Sequence, residues 1–298
     1  MSDFLDVTLP DGRTVEVLTG GDPAGYPWLF HGGSPSAAAP WDLVDGAARS
    51  QGLRMVTYSR PGYGGSTPRP APGRYADDVT ESAAVLDALG IDEFVTLGWS
   101  GGGPRALACA ALLPERCRAA ASLAGVAPYD APGLDWFAGM AEENHEEYHA
   151  AEEGPEAYES YVVENMLPML AATPEQLVEG MGGLVTPVDR DALTGGFADW
   201  LSRTFNRAGA QGAAGVRDDG LAAVTPWGFD LADIRVPVAI WQGRQDAMVP
   251  YEHGAWLAVH VPGAQAHLFE DEGHISLVTR LDEILADLVR LAGLTPDA

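Results

Sequence analysis

Short apolar runs and longer amphipathic stretches alternate along most of this 298-residue chain. Residues 5–9 and 14–19 are β-prone runs on either side of Pro10-Asp11-Gly12-Arg13, a pattern that predicts an opening hairpin. Apolar runs over 28–30, 53–58, 94–97 and 119–123 have the length and bounding turn residues of buried strands. Between them, residues 75–89 place Val79, Ala83 and Leu86 on one helical face with Gly90 as a stop, and residues 101–113 form a second apolar helix. Strands that alternate with helices predict an α/β fold: a mostly parallel central sheet flanked by helices.

The rhythm changes after Val126. Residues 134–151, 155–167, 174–181 and 189–207 read as helical, with no convincing strand among them. It resumes with a strand over 236–242, a helical segment over 255–259, a strand over 266–269 and a last helix over 276–291. The expected organisation is a core of residues 1–127 and 226–298, interrupted by a helical insertion at 128–225.

Charge sharpens this division. There are 43 acidic and 17 basic side chains, for a net charge of −26, and every basic residue is Arg. Residues 130–225 contain 18 acidic and only 4 basic residues. Without Lys, the chain has no side-chain amine for a Schiff base or a P-loop. An excess this negative argues against binding nucleic acid or anionic membrane surfaces. The amino terminus lacks a secretory pattern and no apolar run is long enough for a membrane span, so a soluble cytoplasmic protein is expected. Cys109 and Cys117 lack CxxC spacing and read as buried thiols.

Candidate chemistry centres on Gly98-Trp99-Ser100-Gly101-Gly102, a G-x-S-x-G match between a strand and a helix. A sharp strand-to-helix turn would push the Ser100 hydroxyl out of the sheet edge, and the following helix presents the Gly101 N–H where an oxyanion would form. A serine needs a base and an acid that orients it. Of seven histidines, only His274 lies on a Gly-bearing loop between a strand and the last helix. Asp246 lies on the loop that ends strand 236–242, whereas Asp271 and Glu272 are too close in sequence to His274 to reach its far ring nitrogen easily. His31 and Arg60 read as supports for their loops. The i,i+4 pair His145 and His149 reads as a solvated helix face rather than a metal site.

These residues give the chain a resemblance to the α/β-hydrolase fold family, of the kind with a helical cap. It extends from His31-Gly32-Gly33-Ser34-Pro35 through residues 59–66 and the Ser100 elbow to the loops bearing Asp246 and His274. The resemblance implies that Ser100 is the nucleophile, His274 the general base and acid, and Asp246 the residue holding the imidazole. It implies a second oxyanion donor at the Gly33 amide or, because the loop is one residue longer than HGxP, at Ser34. Neither metal nor organic cofactor is implied. The cap would roof a pocket with Trp99, Trp136, Phe137, Met140, Met166 and Trp200 as substrate contacts, along with Met169 and Phe205. The expected activity is cleavage of a carboxylic ester or similar acyl bond of a neutral, largely apolar molecule. The scaffold also carries proline iminopeptidase-like aminopeptidases, cofactor-free haloperoxidases or perhydrolases, and non-catalytic ligand-binding proteins. The iminopeptidase HGGPG and G-x-S-W-G patterns are here HGGSP and GWSGG.

Overall fold

The computed structural model describes residues 3–294. Eight strands form one sheet in the order β1-β2-β4-β3-β5-β6-β7-β8. β1 (Asp3–Thr8) and β2 (Thr14–Gly21) form the antiparallel opening hairpin, and β2 also pairs antiparallel with β4 (Leu53–Tyr58). From β4 onward, β3 (Tyr26–His31), β5 (Phe94–Trp99), β6 (Cys117–Leu123), β7 (Val238–Gly243) and β8 (Gln265–Phe269) run parallel. All six residues of β5 are buried, as expected for a parallel strand covered on both faces. Val95, Leu97 and Trp99 join the core beneath α1 (Asp42–Ser50) and α12 (Leu281–Leu291). Phe94 joins the opposite core with α2 (Asp78–Ala88), α3 (Gly103–Leu112) and α11 (Tyr251–His260).

Between β6 and β7 the chain is helical: α4 (Glu142–Glu152), α5 (Pro155–Tyr161), a π turn at Val162–Met166, α6 (Leu167–Leu170), α7 (Pro174–Gly180), α8 (Pro187–Ala192), α9 (Gly196–Gly209) and α10 (Ala214–Ala223). The sequence pattern gives a single helix over 189–207. The chain instead breaks at Leu193-Thr194-Gly195, where Gly195 takes φ +50°, and restarts as α9. Helix α10 is absent from that reading because Gly215, Gly220 and the Asp218-Asp219 pair interrupt its apolar periodicity, yet eight of its residues are buried. The ends of two other helices also differ. Residues 75–77 form a turn before α2, and Ser276–Arg280 is a 3-10 turn before α12. No helix among the described residues is long and apolar enough to cross a membrane.

The turn from β5 into α3 is set by close backbone contacts. Ser100 takes φ +56°, a conformation rare for a residue with a side chain. A Cβ at Gly98 would overlap the Gly102 carbonyl, and one at Gly102 would overlap the His31 carbonyl. Both overlaps involve backbone, so neither can be relieved by a side-chain rotation. Gly98→Ala is therefore expected to destabilise the protein by about 2 kcal/mol or more. Urea unfolding beside an exposed control, Leu112→Ala, measures it, and equal midpoints for the two variants would contradict this packing.

Candidate active site

Four loops at the carboxyl ends of the parallel strands meet over the sheet. Ser100 stands after β5, the Gly32–Ser34 turn after β3, Asp246 after β7 and His274 after β8. His274 is 2 % exposed and Asp246 5 %. The His274 Nδ1–H donates to Asp246 Oδ2 across 2.8 Å. That carboxylate is itself fixed, because Gln242 Nε2 donates to the same oxygen at 3.0 Å and the Met248 and Val249 amides donate to Oδ1, both at 2.8 Å. Burial, the largest influence on His274, disfavours its charged form. The charge and hydrogen bond of Asp246, with the charge of Asp189, outweigh it and hold the imidazole above its usual pKa.

Ser100, His274, Gly33 and Ser34 line one cavity of about 410 Å³, together with Trp99, Trp200, Phe205 and Met248. No hydrogen bond joins Ser100 Oγ to His274 Nε2 among the described residues. Gly33 approaches so closely that a Cβ there would stand 3.2 Å from that of Ser100. The Gly33 and Ser34 amides donate no hydrogen bond among the described residues, and Gly101 opens the helical turn that leads into α3, where amides lack acceptors. A second, larger space of about 830 Å³ also reaches Ser100 and Ser34, and is lined by Tyr63, Tyr75, Glu147, Tyr148, Met166, Met169 and Asp219.

Two carboxylates from the helical stretch grip these loops. Asp189 in α8 is fully buried and accepts the backbone N–H groups of His274, Ile275 and Ser276 at 3.1, 2.8 and 2.9 Å. Asp219 in α10 accepts from Arg60 Nε at 3.1 Å, Arg105 Nη2 at 2.6 Å, Ser34 Oγ at 2.7 Å and Tyr63 OH at 2.9 Å. Burial works against its charge, but the two guanidinium groups prevail and hold Asp219 far below the usual carboxylate range. Arg60 also donates to the Gly32 and Gly33 carbonyls, and Arg105 to that of Gly101. Arg60 is thus a loop support, as its position in the sequence suggests. The doublet Asp218-Asp219 within an otherwise small and apolar segment is the one trace of this cluster in the sequence.

The structure divides the sequence-predicted substrate contacts. Trp99 and Trp200 border the smaller cavity, Met166 and Met169 the larger one, and Phe205 both. Trp136, Phe137 and Met140 lie elsewhere, which corrects their assignment. Trp136 is buried with its indole N–H donating to the Ala127 carbonyl, Phe137 packs on the rings of His145 and His149, and all three residues belong to the core around α11. His31 is buried with Nε2 3.7 Å from Cys109 Sγ; burial first, then the charges of Arg105 and Arg60, pushes it down to about 3. It remains a neutral support. Cys109 and Cys117 are both buried thiols.

A family model described as alpha/beta hydrolase fold matches residues 29–281. The chain is 30% identical over 261 residues to a non-heme chloroperoxidase from Streptomyces lividans, covering 84% of each protein. It is 29% identical to a pimeloyl-[acyl-carrier protein] methyl ester esterase from Aromatoleum aromaticum, over 80% of this chain and 88% of that one. Among solved structures, a bromoperoxidase from Bacillus anthracis shares the fold with a TM-score of 0.73 at 20% identity, covering 98% of this chain and all of the other. The strand order, the serine turn between β5 and α3 and these similarities agree: the chain belongs to the α/β-hydrolase fold family.

Proposed function

We propose that this protein is a serine hydrolase that cleaves a carboxylic ester or similar acyl bond of a largely apolar small molecule through an acyl-enzyme. The observation that carries the reading is the buried Asp246–His274 hydrogen bond, which opens on the same cavity as the serine of a strained strand-to-helix turn. Asp246 fixes the imidazole with Nδ1 protonated, leaving Nε2 as the base toward Ser100. Ser100 Oγ attacks the carbonyl carbon as its proton passes to His274 Nε2. The Gly101 amide and the free amides of the Gly33-Ser34 turn receive the developing oxyanion. The C–O bond to the leaving alcohol then breaks, the alcohol takes the proton from Nε2, and water repeats the sequence on the acyl-enzyme. In this reading, α4–α10 form a cap whose residues 128–225 roof the chamber.

A perhydrolase or haloperoxidase reading has one specific support, the 30% identity to a non-heme chloroperoxidase. In chemical terms it requires only that hydrogen peroxide replace water as the second nucleophile. The two activities would therefore share the same acyl-enzyme and the same three residues.

Ser100→Ala is expected to abolish labelling by a fluorophosphonate and to lower kcat on p-nitrophenyl esters by several orders of magnitude, because such a triad acts as a unit. Undiminished labelling would remove Ser100 as the nucleophile. Rate also carries a pH signature. The base works only when neutral, so kcat/KM should fall as pH drops through the raised pKa of His274, with a midpoint above about 6.5. Asp189→Asn removes one negative charge that favours the imidazolium, and should move that midpoint downward. A pH profile of the variant checks this, and an unmoved acid limb would reduce Asp189 to a structural tether.

A further inference from the structure

The larger chamber has a polar end that the acyl-transfer chemistry does not use. Glu147, on α4, lines it together with Ser100. One carboxylate oxygen accepts a 2.7 Å hydrogen bond from Tyr158 OH, and the group has no basic partner among the described residues. Beside it, Tyr75 is 1 % exposed and Tyr148 is half-buried. Both line the chamber, and their hydroxyls hydrogen-bond to no described residue. A carboxylate without a counterion, beside two hydroxyls whose oxygens keep free lone pairs, offers several acceptors inside one cavity, and buried polar groups normally find partners.

We propose that Glu147, Tyr75 and Tyr148 form a subsite for an alkylammonium group, so that the chamber takes acyl compounds carrying a primary or secondary amine some distance from the scissile bond. The inference rests on the reading of Ser100 as the nucleophile for its place in catalysis, although binding at the subsite does not require turnover. An ammonium ion supplies N–H donors that the Glu147 carboxylate and the lone pairs of both tyrosine oxygens can accept, and it supplies the positive charge that Glu147 lacks. The other carboxylate in the chamber, Asp219, cannot compete for the ligand, because Arg60 and Arg105 already saturate it.

The subsite should be sensitive to pH. Burial pushes Glu147 up to about 7; the Tyr158 hydrogen bond opposes that shift and the Asp219 charge adds to it. The groups around it are Tyr158 and Tyr161 on α5, Tyr75 and Tyr148 in the chamber wall and the Asp219–Arg105–Arg60 cluster, with Glu143 and Glu146 on its own helix. Of these, only Glu147 combines an unpaired carboxyl with a place in the chamber. Its ionised form binds the cation, so affinity should rise as pH increases through that value.

The test compares hexylammonium with hexanol, both as competitive inhibitors of p-nitrophenyl acetate hydrolysis and by calorimetry on the full chain. Near pH 8, hexylammonium is expected to bind about tenfold or more tightly than hexanol, with the advantage shrinking below about pH 6. In Glu147→Gln the ratio should collapse toward one at both values. Tyr158→Phe gives a second variant: removal of a donor to the carboxylate should shift the midpoint of the pH dependence upward, which simple loss of packing would not do. Equal binding of amine and alcohol, or a preference that survives Glu147→Gln, overturns the subsite. Ester turnover without an amine preference rejects the subsite alone, whereas an amine preference by calorimetry without turnover supports it and rejects the hydrolase reading.

Discussion

A single buried carboxylate, Asp219, joins the parts that must stay in register. Through Arg60 it holds the Gly32-Gly33 turn, through Arg105 the first turn after Ser100, and directly the Ser34 hydroxyl. The network extends from Arg105 to Asp78, from Asp78 through Arg69 to Glu81, and from Glu81 through Arg13 to Asp11. Four guanidinium groups therefore stand against four carboxylates. Buried ions cost several kcal/mol each in lost hydration, and such a cluster persists only when each charge is met by hydrogen bonds from several directions. Here geometry meets that condition. Arg105 sends its donors to Asp219, Asp78 and the Gly101 carbonyl at once, which a planar fork can do and a single ammonium cannot. The all-Arg composition suits a core built on bridging cations.

Asp189 does for the other side of the site what Asp219 does for the serine side, by a different physical means. No cation meets it. Three consecutive backbone N–H groups at the start of the His274 loop converge on its two oxygens, so a partly polar nest replaces a full countercharge. Burial is the larger influence, and it raises Asp189 above the ordinary carboxylate value. Both carboxylates lie in the helical stretch between β6 and β7, and both bind loops that follow core strands. Docking of these helices and placement of Ser100 and His274 are thus one structural event. A displacement of α8 or α10 would be felt at His274 or at the Gly33-Ser34 turn.

The serine, the imidazole and the acid were legible because their signals are local. A serine between glycines after an apolar run, and a polar residue on the loop ending a strand, announce themselves within a few residues. The parallel sheet was legible for the same reason, since each strand and each helix shows its own period. The helical stretch was harder. Its apolar residues do not declare which surface they face, so Met166 and Trp200 border the cavities whereas Trp136, Phe137 and Met140, with the same hydrophobicity, fill core beside α11. Helix α10 was missed because its small residues and paired aspartates answer to long-range contacts. Gly215 is packed against Gly62 and Tyr63, Gly220 against Tyr158, and Asp219 against two arginines more than a hundred residues away in sequence. No window of local sequence contains those partners.

The acidity of the stretch also changes meaning once partners are known. Its carboxylates are not one class. Asp219 is neutralised by arginines of the core, Asp218 by Arg217 beside it, and Asp189 by backbone dipoles. Among the described residues Glu147 has only the Tyr158 hydroxyl, and burial pushes it up to about 7 in the chamber that reaches Ser100. A carboxyl that the fold leaves without a counterion differs from one used as a strut, because its charge is free to respond to whatever enters. Net charge alone predicts a diffuse negative field over the whole stretch. The pairing pattern reduces that field, inside the chamber, to one group whose ionisation turns over near neutral pH. Discrimination among small molecules there would rest on that carboxyl, and the rest of the wall, methionine and aromatic in character, would set shape and apolar contact.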